Sequence, residues 1–311
     1  MYSFVLRRVL LALPTLLGVT LVVFATIKLV PGDPVTSLLG PAATPEARRE
    51  LVARLGLDDP VPLQYLTWLR HALTGDLGVS IARQRPVTEI LAAALGNTLI
   101  LAAAAFALAV AGGLALGAAG AAFPGRLPGR ICDALATAAV SAPQYAVALV
   151  LVALAVGRLP TGGMHDAFAP GGAGDLLAHL VLPAIAAGLV PMGLIARTAR
   201  TALADLLGGD LVEHLRARGL PGRVVLAHAA HNAVPSLLTI GGLQLAYLVE
   251  GAVFVETVFS WPGVGSALFQ ALSQRDLPVV EAGVLVVAVC FVGVNLLVDV
   301  AHAAVDPRVR A

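Results

Sequence analysis

Lysine is almost missing from this sequence. Of 20 Lys and Arg residues in 311, Lys28 is the single lysine, and it sits in an apolar run. A nucleotide-binding P-loop needs its lysine behind a glycine-rich loop whose N–H groups cradle phosphate, so the chain is not expected to hydrolyse ATP itself. Charge of either sign is also scarce: Asp, Glu, Lys and Arg make up 13% of the residues, against about 25% in an ordinary soluble domain. The 20 basic groups face 19 acidic ones, so there is no basic excess to suggest nucleic acid. Two cysteines, Cys132 and Cys290, are too few for a disulfide framework, and free Cys packs mainly as a small hydrophobe. The seven histidines form no metal-ligand cluster. His228 and His231 lie three apart, where packing or hydrogen bonding is the expected role, and no metal site is expected. His-Glu-x-x-His, Gly-x-Ser-x-Gly and paired membrane aspartates are absent too, which argues against an intramembrane enzyme.

What fills the sequence instead is apolar, 58% of it. Six runs stand out, near 9–30, 98–123, 133–156, 177–195, 237–259 and 279–300. Each has the roughly 20 residues a spanning helix needs, and in lipid a helix satisfies its own backbone groups. The first run follows Arg7 and Arg8 as a signal peptide's would. It continues far past the ~7–15 residues of a cleavable core, and is read as a retained transmembrane helix. The expected fold is all-α: a polytopic membrane bundle of about six transmembrane helices. Its parts are an N-terminal helix (1–30), an extracytoplasmic loop region (31–97) and a core of five helices (98–311).

Arginine placement orients the bundle. With the N-terminus inside, the cytoplasmic segments hold Arg7, Arg8, Arg126, Arg130, Arg197, Arg200, Arg216, Arg218, Arg223, Arg308 and Arg310. The short outer loops hold Arg158 and Arg275. Short loops report topology where long ones do not, so both termini are expected in the cytoplasm.

Within the long outer loop, 44–57 has amphipathic helical spacing and continues into the aromatic-bearing stretch 65–68. This is either a surface helix at the headgroups or a contact surface for an external partner. Gly112, Gly113, Gly117 and Gly120 in the second helix allow close backbone approach, within the chain or at a subunit interface. Pro183 and Pro191 are expected to interrupt and bend the fourth helix.

The connection from 197 to 232 is too long and too polar for a tight turn. Its centre, GGDLVEHLRARGLPGR at 208–223, reads as two short helical stretches separated by Gly219-Leu220-Pro221-Gly222. Arg218 stands in the last turn before the break, where a helix end favours a cation. Such a knob can fit a groove on a soluble partner and pass rigid-body motion to the membrane helices. The plainer reading is a solvated Arg-rich linker at the headgroups.

This segment resembles the cytoplasmic coupling loop of ABC importer permeases, whose pattern is Glu-Ala-Ala, three residues, then Gly. Glu213 stands six residues before Gly219, with His214 and Leu215 at the alanine positions. RARGL at 216–220, then His228, Asn232 and Pro235, is similar to the dipeptide/oligopeptide/nickel branch of that family. So are FSWPGVG at 259–265, Arg275-Asp276, PVV at 278–280 and DPR at 306–308. The N-terminal half adds PGDP at 31–34, LGLDDPVPLQY at 55–65, GDLGVS at 75–80 and RPV at 85–87.

The resemblance implies a type I ABC importer-like subunit in the plasma (inner) membrane of a prokaryote. Its implied partners are a second homologous permease, an extracytoplasmic solute-binding protein, and two cytoplasmic ATPase subunits, or one fused. ATP and Mg would be bound by those ATPases, leaving this chain without a cofactor. Within a coupling loop at 197–235, the resemblance implies ATPase coupling by Glu213, Arg216, Ala217, Arg218, Gly219 and Leu220. The implied cargo is di- or oligopeptides, with nickel or a metal chelate as the alternative. A channel would leave the cytoplasmic loop without a purpose.

A charged group at mid-helix costs roughly 2.5–3.5 kcal/mol on insertion scales, so such groups face a cavity or a partner. Glu250 lies near the middle of the fifth predicted helix, where the resembling family more often has a small residue. Glu256 lies near its outer end. With Gln244, Gln144 and Asn295 they form the set of candidate pathway residues. Interhelical hydrogen bonding is the competing role for Gln144 and Asn295, and Asp299 reads as a structural cap.

Overall fold

Without water to bond, a long apolar run must close its backbone hydrogen bonds internally, and the runs here do so as helices. The computed structural model describes residues 2–29, 44–54, 58–166, 171–251 and 253–305. In chain order its helices are α1 (Tyr2–Leu29), α2 (Pro45–Arg54), α3 (Val61–Leu73), α4 (Val87–Ala122), α5 (Leu127–Ser141) and α6 (Gln144–Ala155). They continue with α7 (Ala173–Leu207), α8 (Asp210–Ala217), α9 (Gly222–Gly251), α10 (Val253–Val258), α11 (Val264–Gln274) and α12 (Leu277–Val305). Among the described residues the β-pairing is a single bridge between Val79 and Pro86. Of the motif stretches, 31–34, 55–57 and 306–308 lie outside the described residues.

Five helices, α1, α4, α7, α9 and α12, are long and apolar enough to cross a membrane, and α5 with α6 can make a sixth span. The third predicted span, 133–156, is therefore corrected from one straight helix to two, meeting at 105°. Pro143 is the cause: its ring excludes the residue before it from the helical region, and Ala142 sits at φ −79°, ψ 123°. At the start of this pair, Asp133 bonds Arg200 near the end of α7 (2.9 Å). Just past its end, the Gly163 N–H donates to the Phe259 carbonyl (2.8 Å), at the opposite end of the bundle. The pair therefore travels from one end to the other, as a broken span rather than a re-entrant loop.

Other boundaries differ from expectation, among them the end of the fourth span, at Leu207 rather than near 195, and of the fifth, at Gly251 rather than near 259. The second span begins at Val87 rather than near residue 98. Its 36 residues, at 1.5 Å each, make a rod of about 54 Å, so its first turns stand clear of a hydrocarbon core of ~30 Å. α7 runs unbroken through Pro183 and Pro191, which were expected to interrupt it. Both prolines are buried, and neighbouring elements tolerate such residues inside a membrane bundle. The second short helix expected after the Gly219 break is not separate, because it forms the first turns of α9.

The centre is the crossing of α4 and α7, where small residues let the backbones touch. A Cβ on Gly113 would lie 2.8 Å from the Ile195 Cβ, and one on Gly117 would lie 2.6 Å from the Ala196 carbonyl oxygen. From the other side, a Cβ on Gly188 would lie 2.7 Å from the Ala105 carbonyl oxygen, and one on Gly193 would lie 2.6 Å from the Ala136 carbonyl oxygen of α5. The glycine stripe is thus packing within the chain. Around this crossing Leu101, Ala105, Ala148, Leu182, Leu248 and Trp261 close the main apolar core.

α1 lies against α12, with Arg8 paired to Asp299 (3.0 Å) at one end. At its other end α3 docks on it: Tyr65 packs edge-on to Phe24 at 5.4 Å and its hydroxyl meets Thr20 (2.8 Å). Lys28 reaches Gln64 beside them. The aromatic stretch 65–68 is therefore the seat of α3 on the first helix.

Candidate functional site

The bundle has two differentiated ends. At the end where α7 stops, α8 stands out as a short amphipathic helix. Val212 and Leu215 face inward and pack with Val225 and Leu220 into a small apolar core of their own. Glu213, Arg216, Ala217, Arg218 and Gly219 are exposed.

The helix is closed by a Schellman motif. Gly219 takes a left-handed conformation (φ +72°), its N–H donates to the Arg216 carbonyl (2.9 Å), and the Leu220 N–H donates to that of Leu215 (3.3 Å). Leu220 covers Leu215, the apolar contact that usually accompanies this cap. Pro221 follows, and α9 starts at Gly222. All six residues assigned from the sequence to ATPase coupling are thus brought together on one knob. Beside it, Arg223, His228 and His231 line a shallow recess of about 440 Å³.

The opposite end is a cap built by motifs far apart in sequence. Trp261 is fully buried and its indole N–H donates to the Asn97 carbonyl (2.9 Å), while the Asn97 side chain donates to the Pro262 carbonyl (2.9 Å). Glu256 is also fully buried. Its carboxylate accepts from the Thr98 hydroxyl (2.6 Å) and from the Ser266 N–H in the first turn of α11 (3.0 Å). A carboxylate at a helix N-terminus meets the positive end of the helix dipole. It fits there because Gly263 and Gly265 lack side chains: a Cβ on Gly263 would sit 2.1 Å from the Glu256 Oε1. Asp276 is buried as well, accepting from the Ser80 hydroxyl (2.5 Å) and the N–H groups of Ile81 (3.0 Å) and Ala82 (3.2 Å). It ties the GDLGVS loop to the turn between α11 and α12.

Among the described side chains the candidate pathway residues do not converge. Glu256 is committed to the cap. Gln144 begins α6 beside the bend, with a long contact from its amide to the Ala187 carbonyl (3.5 Å). Asn295 bonds back to the Phe291 carbonyl of its own helix (3.0 Å). Gln244 is buried in α9, and its carbonyl oxygen finds no donor among the described residues. Glu250 is corrected from the middle of its helix to the last turn of α9, because the helix begins at Gly222 and ends at Gly251, and its side chain lies outside the described residues. Among the described residues no cluster of His, Cys, Asp and Glu is arranged to hold a metal ion.

The model of a family described as binding-protein-dependent transport system inner membrane component matches residues 109–311. The model of the matching N-terminal region covers 1–102. The chain belongs to this permease family. Relatives match end to end. The dipeptide transport system permease protein DppB of Escherichia coli K12 is 37% identical, the alignment covering 100% of this chain and 99% of that one. The di/tripeptide transport system permease protein DppB of Pseudomonas aeruginosa UCBPP-PA14 is 38% identical at the same coverage. The glutathione transport system permease protein GsiC of Salmonella choleraesuis SC-B67 is 36% identical, again over 100% of this chain and 99% of the relative.

The permease is thus a multi-pass membrane protein of a binding-protein-dependent transport system. Sequence reading passed over the groups that assemble its cap. FSWPGVG and Arg275-Asp276 were visible as motifs, yet nothing in them named Thr98, Asn97 or Ser80 as their partners.

Proposed function

We propose that this permease forms half of a translocation pathway for short peptides, in a complex with a second permease, two ATPase subunits and an extracytoplasmic solute-binding protein. The observation that carries the cargo is the end-to-end similarity to dipeptide and di/tripeptide permeases. The arginine asymmetry supports an orientation with the α8 knob in the cytoplasm and the Trp261 cap outside.

The geometry suggests how force would travel. α8 is joined to α9 by a rigid capped turn, and α9 runs for 30 residues, about 45 Å. At its far end lies α10, whose Glu256 holds the cap. A groove on an ATPase that grips α8 would therefore move a continuous helix whose other end bears on the cap. Glu250, near that far end, would face the pathway and receive a cationic group of the cargo, such as a peptide amino terminus.

The test is reconstitution of the full complex with its binding protein in proteoliposomes. Uptake of a labelled dipeptide coupled to ATP hydrolysis is expected. Nickel uptake without peptide-stimulated hydrolysis would overturn the cargo assignment. Orientation is read by Gly209→Cys and Thr74→Cys, which should label with an impermeant thiol reagent from opposite sides.

A further inference from the structure

Between α4 and α11, at the cap end, lies a cleft of about 210 Å³ that the packing of the bundle leaves open. It exists because Ala93, Ala94, Gly263 and Ala267 are too small to fill the space between the two helices. It does not lead inward. Ala94 and Ala267 are buried and packed with Val264, Leu268 and Val287, so the cleft is a dead end, not a stretch of pathway.

Its mouth is carried by a turn that is held from several sides. The Ser80 N–H donates to the Arg85 carbonyl (2.9 Å), the Gln84 N–H to the Ser80 carbonyl (3.0 Å) and the Val87 N–H to the Gly78 carbonyl (3.0 Å). Gln84 takes the left-handed conformation at φ +50°. The buried Asp276 carboxylate grips the same turn through Ser80, Ile81 and Ala82. Burying a carboxylate is costly unless it is fully bonded, and here its bonds fix an exposed turn. What the turn presents are two guanidinium groups. Arg83 is steered over the cleft by donating to the side-chain amide oxygen of Gln270 (2.7 Å), and Arg85 pairs with Glu89 (3.1 Å). Two cations thus meet one anion at the mouth. The Glu256 carboxylate behind the Gly263 wall is already committed to Thr98 and Ser266.

We propose that this cleft is a socket for an acidic side chain of the extracytoplasmic solute-binding protein, with Arg83 receiving the carboxylate. The proposal rests on the functional reading above. Charge complementarity and size favour this occupant: the cleft admits one side chain, and a guanidinium fork matches a carboxylate. Because α11 is bonded to Glu256 of α10, a partner seated here presses on the element that continues into α9.

The experiment uses the complete transporter in proteoliposomes with its own solute-binding protein and a saturating dipeptide. ATP hydrolysis is followed against binding-protein concentration for wild type and Arg83→Glu. The half-stimulating concentration should rise about tenfold or more in the variant, with maximal and basal hydrolysis unchanged. It should climb with salt in wild type and lose that dependence in the variant. Copurification of the second permease checks assembly. If Arg83→Glu fails to assemble, Arg83→Gln removes the charge alone and should shift the same curve. An unchanged half-stimulating concentration in an assembled variant overturns the socket. So does a shift in peptide dependence alone, which would make it a cargo site, or loss of the second permease from both variants, which would make it a subunit interface. Wild-type hydrolysis that ignores the binding protein would instead overturn the functional reading, and the socket with it.

Discussion

The cap on α8 makes a quantitative prediction at Gly219. A Cβ added there meets nothing within 4 Å, so Gly219→Ala carries no packing cost inside the chain. Its cost is the left-handed backbone (φ +72°), about 1–2 kcal/mol for a residue with a Cβ. Asn visits that region with less penalty, so Gly219→Asn should lose only a fraction of it. The knob is held by the four-residue apolar core of Val212, Leu215, Leu220 and Val225. A loss of about 1–2 kcal/mol therefore raises its open fraction by about 5–30-fold. Hydrogen exchange reads this directly at the amides of residues 219 and 220, which donate to Arg216 and Leu215. Exchange in Gly219→Ala should be faster by that factor, with α4 and α7 unaffected and Gly219→Asn close to wild type. Gly219→Trp separates strain from docking. Its side chain points into open space, so any loss of peptide-stimulated ATP hydrolysis beyond that of Gly219→Ala reports a clash with the ATPase groove. Equal protection in the Ala and Asn variants would refute the cap argument, and normal transport by Gly219→Trp would refute the knob-in-groove assignment.

Three other outcomes are expected. Gly117→Val places a Cβ 2.6 Å from the Ala196 oxygen and the Ala199 Cβ. Overpacking of this kind costs roughly 1–3 kcal/mol and should lower the thermal midpoint in detergent, whereas an unchanged midpoint would mean that the α4–α7 crossing is loose. Asp276→Ala strands the Ser80 hydroxyl and two N–H groups, at about 1–3 kcal/mol for each group left unsatisfied. Limited proteolysis should then cut within 78–86, while Asp276→Asn, which retains an acceptor, should be cut more slowly. Glu250→Gln keeps shape and removes charge, so uptake of cationic peptides should fall with assembly unchanged. Equal uptake across a pH series would make Glu250 a packing residue.

Hydropathy located α1 and α12 because each is apolar over most of its length, but it stopped α7 twelve residues short (195 against Leu207). It placed the start of α4 eleven residues late (Val87 against 98), since the projecting turns carry Glu89 and Asn97 and read as loop. Pro143 was in plain view, but a window average carries no angle, so the 105° bend was not foreseen. The knob was legible because its determinants are local: Gly219, Pro221 and the spacing of Val212 and Leu215 all lie within a few residues. The cap was not, because its bonds join Thr98 to Glu256 across 158 positions and Ser80 to Asp276 across 196. Glu256 read as a membrane charge in search of a pathway until its distant hydroxyl partner and two glycines were seen around it.

The small-residue face of α4 also bears on how the chain is made. Gly113 and Gly117 are fitted to α7, which is synthesised only after the broken pair α5–α6 has left the ribosome. Until then α4 offers lipid a furrow that nothing fills, and α5 lacks the glycine contact at Gly193 that seats it. α4 and α5 therefore both wait on α7 for the surface that seats them. Residues 87–207 are thus one unit of packing, completed only when its last helix is made.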